Sequence, residues 1–337
     1  MTAAVRAVRV TRLDGPAGVE VATVPAPSRP EDGFLVDVHA VGLSFPDLLL
    51  SHGRYQLKPE LPFTLGIDFA GVVRAAPAGA AVGPGARVAG WLPVGAAAEV
   101  VAAPATHVFP LPDALSFAEG ACLPLNYLTA HYALVVRGDV RAGSRVLVLG
   151  ASGGVGSAAV QVARWLDAEV VAAVSSPAKA EAARRAGAHH VVEAGAFSRQ
   201  TREVTGGAGV DVVVDVVGGD AVAVDAVRCL APLGRVLVLG FASGEIGSLR
   251  LNRLLLGNVD VRGVSWGPYT RLHPEFPATQ WAALAPGLAD GSLRPEVYAT
   301  YPLDQAARAL LDIEQRRVVG KVVLALGRKG PLLAPGR

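Results

Sequence analysis

The stretch from Ser144 to Lys179 constrains the fold of this 337-residue chain more than any other. Val146–Leu149 is an apolar run long enough for one buried strand. Gly150–Gly156 is a glycine turn, and a helix of small residues is expected to open at about Ser157. A second apolar run, Val170–Val174, follows at the spacing of a βαβ unit. Without a Cβ, Gly153 lets the backbone approach a pyrophosphate, and Gly156 lets the helix pack closely on the strand. The helix N-terminus adds free N–H groups and a partial positive charge. Ala151 replaces the first glycine of the usual G-x-G-x-x-G pattern, so the expectation of dinucleotide binding rests on strand, turn, helix and strand together. Backbone and side chains of Ser152, Gly153, Gly154 and Val155 are the expected phosphate contacts.

The end of the second strand speaks to which dinucleotide. NAD sites carry Asp or Glu there, about twenty residues beyond the turn, to bind the ribose 2′-hydroxyl. Here the residues are Ser175, Ser176, Pro177, Ala178 and Lys179. No carboxylate repels a 2′-phosphate, while one cation and two hydroxyls can hold it. Ser176 can equally cap the next helix, with Pro177 at its first position. The two roles are compatible, and NADPH is the expected cofactor.

Composition narrows the function classes. Apolar residues make up 51% of the chain, charged residues 18%, and the net charge is +2, which fits a compact globular protein of about two domains. No basic block points to nucleic acid. Cys122 and Cys229 are the only cysteines, too few for a disulfide framework, and both read as buried, inert thiols. The segment Met1–Arg6 lacks the apolar core of a signal peptide, and no membrane span is evident. The expectation is a soluble, cytoplasmic protein.

The first 125 residues carry short β-like runs, at 34–41, 70–73 and 86–89, punctuated by Pro and Gly. A helix should start at Ser44, followed by an early Pro46 and by Asp47 three positions on. From about Tyr127 strands and helices alternate. Apolar strands are expected at 209–219, 234–240 and, at the edge, 258–263, with helices at about 178–186 and 221–230 between them. Ligands of such sheets sit beyond the strands' carboxyl ends, which directs attention to residues 153–156, 217–219 and 240–243. A β-like run at 320–324 could add back to the N-terminal domain.

This order resembles the medium-chain dehydrogenase/reductase superfamily. Val41–Asp47, Leu61–Gly71, Gly95–Val101, Pro124–Ala130 and Gly150–Gly156 look like its zinc-free quinone oxidoreductase branch. The resemblance implies an α/β protein. It would have a Rossmann doubly wound parallel sheet at 126–264 and a mostly β, GroES-like domain at 1–125, completed by 265–337. Zinc-bearing relatives place a Cys within the segment matching Gly42–Asp47 and a His-Glu pair after the glycine matching Gly66. Here Ser44 and Ile67-Asp68 stand instead, and the four-cysteine lobe has no counterpart, so no metal is expected. Seven scattered histidines form no ligand-spaced cluster.

The resemblance also assigns candidate site residues. Ser44 would face the nicotinamide where relatives commonly carry Asn, although its capping role competes. Tyr55 would line the substrate cleft and could stack on a quinone or donate a proton. Asn126 and Thr129 would approach the nicotinamide ribose. Gly218, Gly240 and Phe241 would cover the cofactor from the switch-point side, and Ser265 and Trp266 would contact the carboxamide. Lys321 would reach cofactor phosphate or ribose, or else be a surface lysine. Glu193-Ala194 stand where relatives often carry a Tyr near the adenine, which weakens the NADPH assignment.

Without zinc to polarise a carbonyl, an acceptor whose conjugation spreads negative charge is favoured. The implied activity is NADPH-dependent hydride transfer to a quinone or related α,β-unsaturated carbonyl. An enoyl reductase acting on a 2-enal or a thioester is the nearest alternative; for a thioester, Arg54 and Lys58 are the evident basic pair. A cofactor-binding protein with little turnover is the other. A homodimer through the edge strand at 259–264 is expected.

Overall fold

The computed structural model describes residues 4–326, so Met1–Ala3 of the segment read for a leader and the end of the 265–337 return lie outside the described residues. The chain divides into two compact units, Met1–Leu125 with His273–Arg337, and Asn126–Leu272.

The first unit is built on two sheets. A three-stranded antiparallel sheet pairs Ala4–Val10 with Val19–Pro25 on one side and with Phe63–Thr64 on the other. A seven-stranded sheet runs in the order Val297–Pro302, Lys321–Ala325, Gly33–Leu43, Asp68–Ala75, Arg87–Trp91, Val108–Pro110, with Val100–Pro104 also pairing Gly33–Leu43. Only its first pair is parallel. Lys321–Ala325 lies antiparallel to Gly33–Leu43, with Val322 opposite Leu43, so the C-terminal strand does add back to the N-terminal sheet. Val8, Val36, Val41, Leu65, Phe69, Leu310 and Val322 share one apolar core beneath these sheets.

The second unit is a six-stranded, all-parallel sheet. Its order is His190–Glu193, Glu169–Val174, Arg145–Leu149, Val210–Asp215, Leu230–Val238, Asp260–Gly263. The order reverses between Arg145–Leu149 and Val210–Asp215, the switch point where open α/β sheets bind ligands. Val146, Val148, Val170, Val213 and Leu237 are wholly buried, as strands covered on both faces require.

Three boundaries move from the sequence reading. The helix after the glycine turn begins at Gly154, not about Ser157, and runs Gly154–Trp165. The Ser157 N–H already reaches the Gly153 carbonyl at 2.8 Å, so the glycines are part of the first helical turn. The helix expected at 221–230 runs Asp220–Arg228, because Leu230 already pairs with Val210 in the sheet. The strand expected at 234–240 therefore starts at Leu230. Beyond the edge strand, the Trp266–Leu272 helix stays with the parallel unit, the Tyr269 ring packing tilted against that of Tyr132 with centroids 4.8 Å apart. Among the described residues no helix is long and apolar enough to cross a membrane.

Candidate functional site

The glycine turn is shaped by two different demands. A Cβ on Gly156 would lie 2.1 Å from the Gly150 carbonyl oxygen and 3.0 Å from the Ala151 Cα, so only glycine lets this helix sit so close to the strand it follows. Gly153 is different. Its φ is −79°, and a Cβ there would meet only the Gly150 oxygen at 3.6 Å, an ordinary contact. The fold leaves open space over Gly153, at the N-terminal end of a 12-residue helix. The first N–H groups of that helix have no partner inside it, and they carry the positive end of its dipole. This is the arrangement that receives a pyrophosphate.

Asn126 belongs to the same place. It is 4% exposed, and its amide closes on Gly154, where an added Cβ would meet Nδ2 at 2.7 Å and Oδ1 at 3.1 Å. Thr129 lies one turn on along the Pro124–His131 helix and is half-buried. The same helix is fixed through Tyr127, whose hydroxyl donates to Gln161 Oε1 at 2.7 Å.

The neighbouring strand ends are prepared in the same way. Asp215, 3% exposed at the end of its strand, accepts the N–H groups of Val217 at 2.8 Å and Gly218 at 3.0 Å. Burial raises its pKa against those two bonds. Gly218 then adopts φ +74°, and a Cβ on it would strike the Phe241 ring at 2.7 Å, so Gly218 and Phe241 lie in close contact. Gly240 precedes Phe241, which is 39% exposed. Ser265 is exposed and Trp266 buried just past the edge strand.

At the adenine end, Lys179 Nζ donates to the exposed Ser175 hydroxyl at 3.2 Å. Ser176 caps the Pro177–Arg185 helix, accepting the Lys179 N–H at 3.4 Å with Pro177 at its start. No carboxylate stands among these residues. Glu193 is exposed on the next strand, its N–H donating to Gln200 Oε1 at 2.7 Å.

In the first unit, the Phe45–Ser51 helix begins as the sequence predicts, with Ser44 as cap. The Ser44 N–H and hydroxyl both donate to Asp47 Oδ2 at 2.8 Å. Asp47 is fully buried, and burial pushes its pKa up to about 6. Tyr55 is half-buried against the core, its phenol pushed up by burial and by the Asp47 charge. Lys321 is not a surface lysine. It is 2% exposed, and its Nζ donates to Asp68 Oδ2. Asp68, wholly buried, accepts the Leu125 N–H on Oδ1 at 3.0 Å. Cys122 is buried near this pair, its thiol pushed up to about 12.

These residues do not fit a zinc ion. The Ser44 hydroxyl is engaged with Asp47, Ile67 is a buried hydrocarbon, and Asp68 is committed to an ammonium and a backbone N–H. Among the described residues no three His, Cys, Asp or Glu side chains converge as metal ligands.

Sequence reasoning passed over Asp215, read Asp47 as part of the Ser44 cap, and noted Asp68 only as standing where zinc-bearing relatives carry part of a His-Glu pair. The signal for Asp215 was present: a carboxylate closing an apolar strand, three residues before a glycine pair. Nothing in the sequence linked Asp68 to Lys321.

Comparison with known proteins agrees with this architecture. Residues 30–113 match the alcohol dehydrogenase GroES-like domain, and residues 154–283 match the zinc-binding dehydrogenase family. Quinone oxidoreductase-like protein 2 of Bos taurus is 36% identical over 95% of this chain and 92% of its own length. The crystal structure of a probable oxidoreductase from Mycobacterium abscessus superposes with a TM-score of 0.88 at 40% identity, covering 97% of this chain and all (100%) of that one. A mycobacterial structure complexed with NADPH is similar at 33% identity and a TM-score of 0.87, over 96% of this chain and 100% of that one. With a Rossmann sheet, a GroES-like sheet unit and relatives of this similarity along nearly its whole length, the chain belongs to the medium-chain dehydrogenase/reductase superfamily of oxidoreductases, among its quinone oxidoreductase-like members.

Proposed function

We propose that the protein is an NADPH-dependent reductase that passes a hydride to a quinone or a related α,β-unsaturated carbonyl without zinc. The observation that carries the reading is the glycine turn. The space over Gly153 is not required by any protein contact, and it lies where helix N–H groups can meet a pyrophosphate. Ser152, Gly154 and Val155 would complete that cradle, with Asn126 and Thr129 toward the nicotinamide ribose. Gly218, Gly240, Phe241, Ser265 and Trp266 would line the cofactor's other side. Lys179, Ser175 and Ser176 would hold a 2′-phosphate, and the similar mycobacterial structure complexed with NADPH supports that choice.

The acceptor class follows from the donor set. Ser44, Ile67 and a Lys321-bound Asp68 supply no Lewis acid, so the acceptor itself must accommodate the charge that hydride transfer creates. Conjugated carbonyls and quinones do so. Tyr55 is the polar side chain assigned to the acceptor and Ser44 the one assigned to the nicotinamide, where the hydride would be passed, and the buried Lys321 acts in this reading through Asp68 rather than on phosphate. The test is steady-state oxidation of NADPH with a panel of quinones, 2-enals and enoyl thioesters, before and after dialysis against a chelator. Quinone turnover unaffected by chelation is expected. Activity lost with the chelator and restored by zinc would refute the metal-free chemistry, and turnover confined to thioesters would move the protein to the enoyl reductases.

A further inference from the structure

A carboxylate withdrawn from water needs donors on both oxygens, and each buried oxygen left without one calls for a physical reason. Asp47 meets this requirement on one side only. Oδ2 accepts both the N–H and the hydroxyl of Ser44, at 2.8 Å each. Oδ1 is buried with no hydrogen-bond partner among the described residues. Capping explains Oδ2 and leaves Oδ1 unexplained.

The groups facing Asp47 come from four places. On its own helix there is Ser44. On the strand Lys321–Ala325 there is Lys321, whose charge is taken up by Asp68 of the strand Asp68–Ala75. Tyr55 follows the helix, its phenol held in the neutral form by burial and by Asp47. Lys321 favours the Asp47 carboxylate and Asp68 disfavours it, while desolvation outweighs both and raises Asp47 to about 6. The oxygen without a partner is the natural seat of the proton.

We propose that Asp47 stores on this oxygen the proton that Ser44 hands to the reduced acceptor. The proposal rests on the reading of the protein as a hydride-transferring reductase with Ser44 facing the reacting atoms. Bound at the glycine turn, the reduced nicotinamide would supply a hydride, with both electrons of its C–H bond, to the acceptor, leaving the cofactor oxidised and the acceptor an oxyanion. The Ser44 Oγ–H bond breaks and its proton joins that oxyanion. The Asp47 O–H bond breaks in turn and restores the serine hydroxyl, a half-turn of the carboxyl having exchanged its two oxygens. Solvent returns one proton to the carboxylate, so each turnover consumes one hydride and one proton.

The state of Asp47 sets what Ser44 can do. Beside a carboxylate, the Ser44 hydroxyl points its hydrogen inward, as in the structure. Beside the neutral acid it can accept from Asp47 and release its own hydrogen outward. Asp47 therefore acts through Ser44, as a positioning and proton-storing residue, and the protonation step slows as pH rises through its pKa.

The test compares wild type, Asp47→Asn and Ser44→Ala in NADPH oxidation by 1,4-benzoquinone from pH 5 to 8, with NADPH affinity and circular dichroism as controls. In wild type, the ¹³C signal of the Asp47 carboxyl is followed over the same range. Wild-type kcat is expected to fall with rising pH in step with the carboxyl titration. Asp47→Asn should lower kcat about tenfold or more at the acid end and flatten the profile, with NADPH affinity unchanged, and Ser44→Ala should do the same. A variant that keeps the wild-type kcat or pH limb would overturn the proposal, as would a wild-type carboxyl that shows no titration in this range. If Asp47→Asn does not fold, Ser44→Ala and the wild-type titration decide the matter. Failure of the reductase reading has a separate signature: wild type binds NADPH, Asp47 titrates, and no acceptor is reduced, which overturns both.

Discussion

Replacing Gly156 and Gly153 one at a time by alanine separates what the glycine turn does for the fold from what it does for a ligand. At Gly156 two effects oppose each other. Alanine in a helix gains about 1 kcal/mol over glycine. Against this, the new methyl would sit 2.1 Å from the Gly150 carbonyl oxygen and 2.8 Å from its carbonyl carbon, and both are backbone atoms that cannot swing aside. Overpacking of a tight contact costs about 1–3 kcal/mol, and a backbone collision of this depth belongs at the upper end. The expected net loss is about 2 kcal/mol. At Gly153 the nearest atom to the new methyl is 3.6 Å away and φ is −79°, so the conformation is unstrained. The remaining cost is the weaker capping by alanine, about 1 kcal/mol or less.

Binding reverses the ranking. The Gly153 methyl would occupy the space through which a pyrophosphate approaches the helix N–H groups. Losing one charge-assisted hydrogen bond there costs about 1.5–3 kcal/mol, or about tenfold or more in affinity. Denaturant unfolding and NADPH titration by fluorescence, run on both variants, make the comparison. Gly153→Ala should be nearly as stable as wild type yet bind NADPH at least tenfold more weakly, and Gly156→Ala should show the larger loss of stability. Unchanged NADPH affinity in Gly153→Ala would refute the pyrophosphate reading of the turn, and full stability in Gly156→Ala would refute the packing argument.

Three further outcomes are expected. Wild type should bind NADPH more tightly than NADH, and Lys179→Ala should remove most of the difference, about 1.5–3 kcal/mol for a charge-assisted phosphate contact; equal dissociation constants in wild type would sink the 2′-phosphate assignment. His107, stacked on Trp91 at 4.0 Å, is held neutral by burial, its pKa lowered from 6.5 to about 4. The unfolded chain takes up this proton first as pH falls, so stability present above pH 6.5 is lost progressively toward pH 4. The loss should be about 2 kcal/mol after allowing for partial exposure, and His107→Phe should remove it from the pH dependence of unfolding. Finally, the edge strand Asp260–Gly263, with Val261 42% exposed and Leu251, Leu255 and Leu256 75–79% exposed just before it, should pair with a second copy across a twofold axis. Sedimentation at micromolar concentration showing monomer alone would exclude that.

What was legible in the sequence was what is encoded locally. The Ser44–Asp47 cap joins residues three positions apart, and the strand, turn and helix around Gly150–Gly156 are contiguous, so spacing alone foretold both. The helix start was read three residues late because glycines count against a helix by propensity, whereas here Gly154 and Gly156 are held helical by close approach to the strand. The Ala4–Val10 and Val19–Pro25 hairpin was not foreseen, since arginines and a glutamate interrupt its alternation on the exposed face. The 15-residue helix Phe276–Asp290 was hidden by Pro286 inside it.

The Asp68–Lys321 pair marks the limit of such reading. Its partners are 253 positions apart, and each alone looks like an ordinary surface residue. Only the pairing of Lys321–Ala325 with Gly33–Leu43, itself bonded to Asp68–Ala75, brings them together. Once there, neither is tolerable without the other, because a single buried charge costs several kcal/mol. That mutual dependence bears on the chemistry as well as on the fold. With the Lys321 ammonium fixed on Asp68, Asp47 is the carboxylate of the cluster that keeps an oxygen without a hydrogen-bond partner among the described residues, and the half-buried Ser44 is bonded to its other oxygen. With Asp68 bound to Lys321 and the Ser44 hydroxyl bound to Asp47, the polar cluster supports the proposed handling of protons rather than the polarising of a carbonyl.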